Sequence, residues 1–324
     1  MALKVLFIGG TGVISSACTV HAVEAGHEVY LLTRGQSIRS IPEGAIPLKG
    51  DIRDPSTLGQ LRQQTFDVVV DWVAYTPEHI DADIQLFSGR TSQYVFISSA
   101  SVYSKPPPIP VTEDAPIGNP YWDYAAAKVE CERRLQEAHA KGLIPATIVR
   151  PSHTYDRTRL PVTGRYTVID RMRKGKPVVV HGDGTSLWTL THHTDFARGF
   201  TGLLGNANAI GEVFHITSDE LLTWNQIFLL LGQAAGVEPK LVHVPSDLIA
   251  KHDPEWGAGL LGDKAHSMIF DNGKIKRFVS GFEAKIPFSQ GAVEILAWFD
   301  ENPKRQVLDK QFDALSDRLI SLCS

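Results

Sequence analysis

Short apolar runs alternate with amphipathic stretches through the first half of this chain. Residues 3–8, apolar but for Lys4, stop at Gly9-Gly10, and residues 13–25 follow with helix-compatible spacing and a Gly26 stop. That order predicts a strand, a tight turn and a helix. Further buried-type runs at 29–32, 45–48, 68–70, 94–97 and 147–149 are separated by helical segments after Pro55, around 84–87 and over 121–140. Strands that are apolar on both faces and alternate with helices imply a parallel sheet covered on both sides, the doubly wound α/β class.

After Arg150-Pro151 the alternation loosens. Short strands at 178–180 and 213–216 mix with helices near 168–173, 196–204, 224–235 and 293–299. The expectation is a dinucleotide-binding domain over residues 1–155 and a smaller mixed α/β substrate domain over 156–324, with some later segments returning to the first sheet. Leu308, Phe312, Leu315, Leu319 and Leu322 recur at three- and four-residue steps. They predict a final amphipathic helix that docks on its own domain or on a second subunit.

Composition narrows the setting. The 324 residues give room for two domains. With 32 basic against 36 acidic residues there is no general basic field, so a nucleic-acid partner is not expected. Cys18, Cys131 and Cys323 are far apart with no C-x-x-C spacing, which suggests neither a disulfide framework nor a zinc knuckle and fits a reducing cytoplasm. The longest uncharged stretch, residues 5–23, is broken by Gly9, Gly10, Gly12, Ser15, Ser16 and His21, so neither a membrane span nor a leader is expected. His192 and His193 are adjacent in an extended segment and should face opposite ways, so no metal is expected there. Asp195 reads as the cap of a helix from Phe196.

The glycine turn stands where a phosphate-binding turn should, directly after the first strand. Gly9 and Gly12 allow close backbone approach, while Val13 and Ile14 open a helix whose N-terminus offers unpaired N–H groups. The second strand ends Leu32-Thr33-Arg34-Gly35, with no acid between Val29 and Pro42. A carboxylate there would take the ribose hydroxyls of NAD. An arginine instead pairs with a 2'-phosphate, so Thr33 and Arg34 favour NADP over NAD. Asp51 and Ile52, after the third strand, are candidates for the adenine edge.

Of eight tyrosines, Tyr124 alone has a lysine four residues on. Tyr124 and Lys128 therefore share a helical face. A phenol of pKa near 10 is about 3 pH units from ionising at neutral pH, and a neighbouring ammonium would lower that cost. Ser98, Ser99 and Ser101 follow the fifth strand on the ligand side of an open parallel sheet, where a hydroxyl can hold a substrate alcohol or carbonyl.

Gly9-x-x-Gly12, Ser98-Ser99-Ala100-Ser101-Val102-Tyr103, Tyr124-x-x-x-Lys128 and Arg150-Pro151, in that order, resemble the extended short-chain dehydrogenase/reductases, in particular the NAD-dependent epimerase/dehydratase group. The resemblance implies a Rossmann domain, a Ser99, Tyr124 and Lys128 triad, and a homodimer. It adds Val73, Ala74 and Pro151 to the cofactor contacts, and Ser101, His153 and Trp188 to the substrate contacts. Relatives that dehydrate or decarboxylate sugars carry a carboxylate just after the catalytic hydroxyl, where this chain has Ala100 and Ser101. The string looks more like the sugar 4-epimerases, so a sugar or nucleotide sugar is the implied substrate.

The second half departs from that pattern. Trp188 follows Gly182-Asp183-Gly184 at about the place of an arginine that contacts diphosphate in nucleotide-sugar enzymes, with Arg157, Arg159 and Arg165 as substitutes. A one-way NADP-dependent alcohol/ketone reductase remains an alternative. So does a nucleotide-sensing regulator or a stem-loop RNA-binding protein, because Leu-Thr-Arg-Gly is also similar to the chloroplast RNA-binding relatives of the fold.

Overall fold

The computed structural model describes residues 2–37 and 39–323, with every side chain among them except that of Gln60. Strands β1 (Lys4–Ile8), β2 (Glu28–Thr33), β3 (Ile46–Lys49), β4 (Phe66–Asp71), β5 (Thr91–Ile97) and β6 (Ala146–Pro151) join one sheet. A seventh strand, Val213–Ile216, comes from the second half of the chain and pairs with β6. The order is β3-β2-β1-β4-β5-β6 and then Val213–Ile216, and every pairing is parallel. This is a Rossmann-type doubly wound sheet. The chain winds away from β1 in both directions, so the C-terminal ends of β1 and β4 part and leave a crevice.

Side chains of a strand alternate between faces, so a wholly apolar strand needs cover on both. Val5, Phe7, Val68 and Val70 pack with Phe196 and Phe200 on one face. Leu6, Ile8 and Val69 pack with Ile80, Phe87 and Leu135 on the other. Each such fully buried side chain contributes about 1.5–3 kcal/mol. Helices Val13–Glu24 and His193–Thr201 cover the first face, Pro77–Phe87 and Asp123–Ala140 the second. Helix Pro77–Phe87 begins with Pro77 at its first turn after an extended Thr76, the place where a missing N–H costs nothing.

The second half has its own core around Tyr155, Trp188, Trp224 and Phe288. Strands Val178–His181 and Leu241–Val244 pair in parallel beside it. The last helix, Lys310–Ser321, docks on this half of its own chain. Phe312 and Leu319 are buried, and the buried Arg171 pairs with Asp313 and Asp317. Among the described residues no helix is long and apolar enough to cross a membrane.

One cap differs from expectation. The helix starts at His193 and is capped by His192, whose Nδ1 accepts the Thr194 N–H at 3.3 Å. Asp195 lies inside the first turn because its carboxylate is needed elsewhere. It accepts the N–H groups of Lys285 and Ile286 at 3.0 and 2.8 Å and pairs with Arg198 at 2.8 Å.

Candidate active site

The glycine turn closes β1 onto the helix it opens. Gly9 and Gly10 have φ of 105° and 95°, a region that residues with a Cβ rarely enter. A Cβ on Gly10 would lie 2.6 Å from Leu31 Cδ2. The Gly12 N–H donates to Ser15 Oγ at 2.7 Å, and Thr19 Oγ1 donates to the Gly10 carbonyl at 3.2 Å. Val13 lines the cleft, whereas Ile14 packs against the core. Bare backbone and a helix N-terminus with no acid in its first turn fit the phosphates of a dinucleotide.

The neighbouring strand ends complete this crevice. Thr33 Oγ1 accepts the Gly35 N–H at 3.1 Å. Arg34 is 65% exposed, and its Nη1 is 4.0 Å from Asp51 Oδ2. An acid therefore does stand beside Arg34, delivered by β3 although none follows β2 in sequence. Ile52 is buried with Leu58 and Leu61, which leaves Asp51 as the exposed member of that pair. Val73 abuts Gly9, and Ala74 is buried beneath. Sequence reading missed Arg39, which spans the turn. It donates to the Thr11 carbonyl at 3.4 Å, to Asp156 Oδ2 at 2.8 Å and to Thr158 Oγ1 at 2.5 Å, tying the two halves together.

At the reacting end the serines divide their work. Ser98 Oγ donates to Glu132 Oε1 at 2.5 Å, and Arg150 grips both oxygens of that buried carboxylate at 2.9 and 2.6 Å. Ser98 thus belongs to the packing behind the site. Ser101 Oγ donates to Ser99 Oγ at 2.9 Å, and Ser99 acts on the Tyr124 phenol, pulling its pKa down. Tyr124 and Lys128 project from helix Asp123–Ala140 one turn apart.

The Tyr124 and Lys128 pair is not the phenolate and ammonium that the sequence spacing suggests. Lys128 Nζ donates to the carbonyls of Ala74 at 2.6 Å and Ile97 at 2.8 Å, and lies 5.9 Å from the centre of the Tyr124 ring. Burial pushes the Tyr124 phenol up to about 12, against the opposing influence of Ser99. Burial also pulls Lys128 down to about 8. Tyr124 therefore keeps its proton at neutral pH and faces the cleft as a donor.

That cleft has a volume of ≈ 1390 Å³ and is bordered by Ser99, Ser101, Tyr124, Pro151 and His153. Trp188 does not line it. The two-residue strand Leu187–Trp188 pairs antiparallel with Leu222–Thr223, and the indole is 1% exposed in the second core. Its N–H donates to His153 Nδ1 at 2.9 Å. With Nδ1 accepting, the ring proton sits on Nε2, and burial holds His153 neutral by lowering its pKa well below the usual range. Trp188 is thus a support for His153 and not a sugar contact. Arg159 and Arg165 do line the cleft, together with Trp122, Asp263 and Lys264. The last three were not read from the sequence. An aromatic two residues before Tyr124 and a Gly-Asp-Lys turn were the available signals, and neither carries distance information.

The sequence model of the NAD dependent epimerase/dehydratase family matches residues 5–217. The chain is similar to a chloroplast stem-loop binding protein of 41 kDa (b) from Arabidopsis thaliana, 30% identical over 256 residues. That alignment covers 74% of this chain and 65% of the Arabidopsis protein. It is also similar to 2'-dehydrokanamycin reductase from Streptomyces kanamyceticus, 25% identical over 87% of this chain and 81% of that protein. In fold it resembles UDP-glucuronic acid 4-epimerase from Bacillus cereus, solved with UDP-glucuronic acid and NAD, with a TM-score of 0.74 at 19% identity over 92% of this chain and 99% of that one.

Proposed function

The chain belongs to the NAD-dependent epimerase/dehydratase family, enzymes of the extended short-chain dehydrogenase/reductase type, and from that premise we propose that it interconverts a hydroxyl and a ketone on a sugar or nucleotide sugar in the manner of a sugar 4-epimerase. One observation carries this reading: Ser101 donates to Ser99, Ser99 acts on the Tyr124 phenol, and Lys128 stands one helical turn on, at the C-terminal edge of the sheet. When bound, NAD or NADP would supply the acceptor and donor of hydride at the crevice.

The side chains supply proton handling and orientation. Ser99 holds the substrate oxygen, and Ser101 fixes Ser99 by donating to it. In the epimerase sense Tyr124 first has to lose its proton, which Lys128 as a cation would favour, and then takes the proton of the sugar hydroxyl and returns it to the carbonyl oxygen; in the reductase sense the protonated phenol donates to the carbonyl oxygen directly. Dehydration and decarboxylation need a further acid or base. Ala100 and Ser101 provide none, and Asp263, whose charge acts on Tyr124, is already held by Lys105 at 3.1 Å. Arg34 favours NADP through its exposed guanidinium, with Asp51 as the opposing influence.

Replacing Tyr124 by Phe removes the proton donor and keeps the ring. Turnover of an identified sugar substrate should fall by about 10²–10⁴-fold, with dinucleotide affinity held within about twofold. Undiminished turnover would overturn the assignment. A second reading, a one-way ketone reductase, is favoured by the retained Tyr124 proton and the similarity to 2'-dehydrokanamycin reductase. Nucleotide content after purification separates the two readings. A retained dinucleotide supports the epimerase, which recycles its hydride; an empty crevice supports the reductase, which exchanges its cofactor each cycle.

A further inference from the structure

A buried acid stands where the central strand β4 meets the crevice, and neither the reacting residues nor the dinucleotide contacts account for it. Asp71 ends β4 and is fully buried. A carboxylate in that setting needs a partner, and here the partner is shared. Arg53 donates to Asp71 Oδ2 and to Asp83 Oδ1 at 2.8 Å each, and the buried Asp83 also accepts from Tyr94 Oη at 2.7 Å. Two carboxyl groups thus face one guanidinium, whereas Glu132 and Arg150 match one to one. Burial and the adjoining Asp71 hold the Asp83 carboxyl well above the usual range, so the proton of the pair rests on Asp83.

The other carboxylate is directed at the reacting end. Asp71 Oδ1 accepts the Val73 N–H at 2.5 Å, which closes the turn from β4 to Ala74. That turn presents the Ala74 carbonyl, the acceptor of Lys128 Nζ at 2.6 Å. It also brings the Tyr75 ring to 4.9 Å from the ammonium, with the Tyr75 N–H donated to His79 Nδ1 at 3.1 Å. One side chain therefore shapes the backbone that receives Lys128 and adds a negative charge near it.

Among the described residues, no other group facing Lys128 supplies that charge as freely. Tyr124, Cys131 and Glu132 face it from its own helix, and Tyr75 and His79 from the segment after β4. Burial pushes the Cys131 thiol up to about 12 and raises both phenols, so all three are neutral where Lys128 titrates. Burial lowers the pKa of His79, which leaves that ring uncharged there as well. Glu132 is gripped through both oxygens by Arg150. Burial pulls Lys128 down, and Asp71 is among the groups that oppose it; Asp83 is not.

Resting on the reading of Lys128 as the cation at the reacting phenol, we propose that Asp71 is a positioning residue for that lysine: through the turn to Ala74 it aims the carbonyl that receives the ammonium, and its charge keeps the ammonium protonated beside Tyr124. Asp83 and Arg53 hold the carboxylate in place and do not act on Lys128 themselves.

Two variants separate the charge from the packing. Asp71→Asn and Asp83→Asn each leave Arg53 one carboxylate, and asparagine at position 71 can still accept from Val73. In each background of the full-length protein, the titration of folded Lys128 is read as the difference in denaturant unfolding with and without Lys128→Met, from pH 6 to pH 11. In the parent that difference begins to rise near pH 8. In Asp71→Asn the onset should fall by about half a pH unit or more, because an opposite charge near the ammonium has been removed. In Asp83→Asn it should stay where the parent has it. Asp71→Ser removes the same charge and should reproduce the fall, so the test stands even if the asparagine variant does not fold; Asp71→Glu keeps the charge and should restore the parent's onset. An unchanged onset in the charge-free variants, or equal falls in Asp71→Asn and Asp83→Asn, overturns the proposal. None of these measurements needs a substrate, so the proposal can fail while Tyr124-dependent turnover stands, and the Tyr124→Phe result tests the function separately.

Discussion

Lys128 is a buried charge whose energetic consequence can be followed to a measurement. The residue is 2% exposed, its ammonium donates to two backbone carbonyls, and the rings of Tyr75 and Phe96 lie 4.9 and 4.8 Å from it. Burial is the largest influence on its proton and lowers the pKa from 10.5 to about 8. The unfolded chain therefore keeps this proton up to about pH 10.5, while the folded chain releases it near pH 8. Between those limits the unfolded state binds more protons, so stability rises with pH. At about 1.4 kcal/mol per pH unit, the rise attributable to Lys128 is about 3 kcal/mol, with the full penalty present below pH 8 and gone above pH 10.5. Denaturant unfolding of the parent and of Lys128→Met from pH 7 to pH 11 isolates it, because methionine does not titrate and the other groups are shared. Methionine also leaves the Ala74 and Ile97 carbonyls without a donor, at about 1–3 kcal/mol each. That loss moves the whole curve and not its slope. Parallel curves between pH 8 and pH 10.5, or a parent that falls relative to the variant there, would refute the reasoning.

Two further outcomes follow from the charges around the crevice. Glu132→Ala should destabilise the protein by about 3–5 kcal/mol, since it leaves Arg150 buried and unpaired and takes the acceptor from Ser98. A chemical-denaturation loss below about 1 kcal/mol would show that the pair does not hold this region together. Arg34→Ala should weaken NADP binding by about tenfold or more and change NAD binding little, because a guanidinium pairs with a 2'-phosphate that NAD lacks. Equal losses for both cofactors, or a parent that prefers NAD, would transfer the selectivity to Asp51.

The parts of this protein that were legible in the sequence are those whose signal is local. The apolar runs of β1, β4 and β5 must be covered on both faces wherever they lie, and a glycine turn between strand and helix has few alternative conformations. Tyr124 and Lys128 share a face by helix geometry alone. Other features depend on residues far along the chain. Asp195 looks like a cap until the backbone of Lys285 and Ile286 claims its carboxylate. Trp188 sits in a two-residue strand whose facing is set by Leu222, so no periodicity could tell core from cleft. Arg34 appeared free of acids because Asp51 follows β3, the next strand, and comes beside Arg34 only through the parallel pairing of β2 with β3. Lys264 is placed by bonds from Asn119 to Gly262 and from His181, Ser186 and Trp224 to its own carbonyl, all distant in sequence.

The buried charges sort by what neutralises them, and that sorting locates the chemistry. Arg150 is closed by Glu132, Arg53 by Asp71 and Asp83, and Arg171 by Asp313 and Asp317. Each of these carries its own carboxylate and can be explained by packing alone. Lys128 has backbone carbonyls in place of a carboxylate, and Lys264 has a share in one already taken by Lys105. Both lysines adjoin Tyr124, one behind its ring and one across Trp122. A chain with 36 acidic and 32 basic residues has no shortage of carboxylates. Burial and the charge of Asp263 nevertheless hold the Tyr124 phenol protonated, so the two lysines do not by themselves make it a phenolate. Incomplete neutralisation therefore sets Lys128 and Lys264 apart from the structural ion pairs around them.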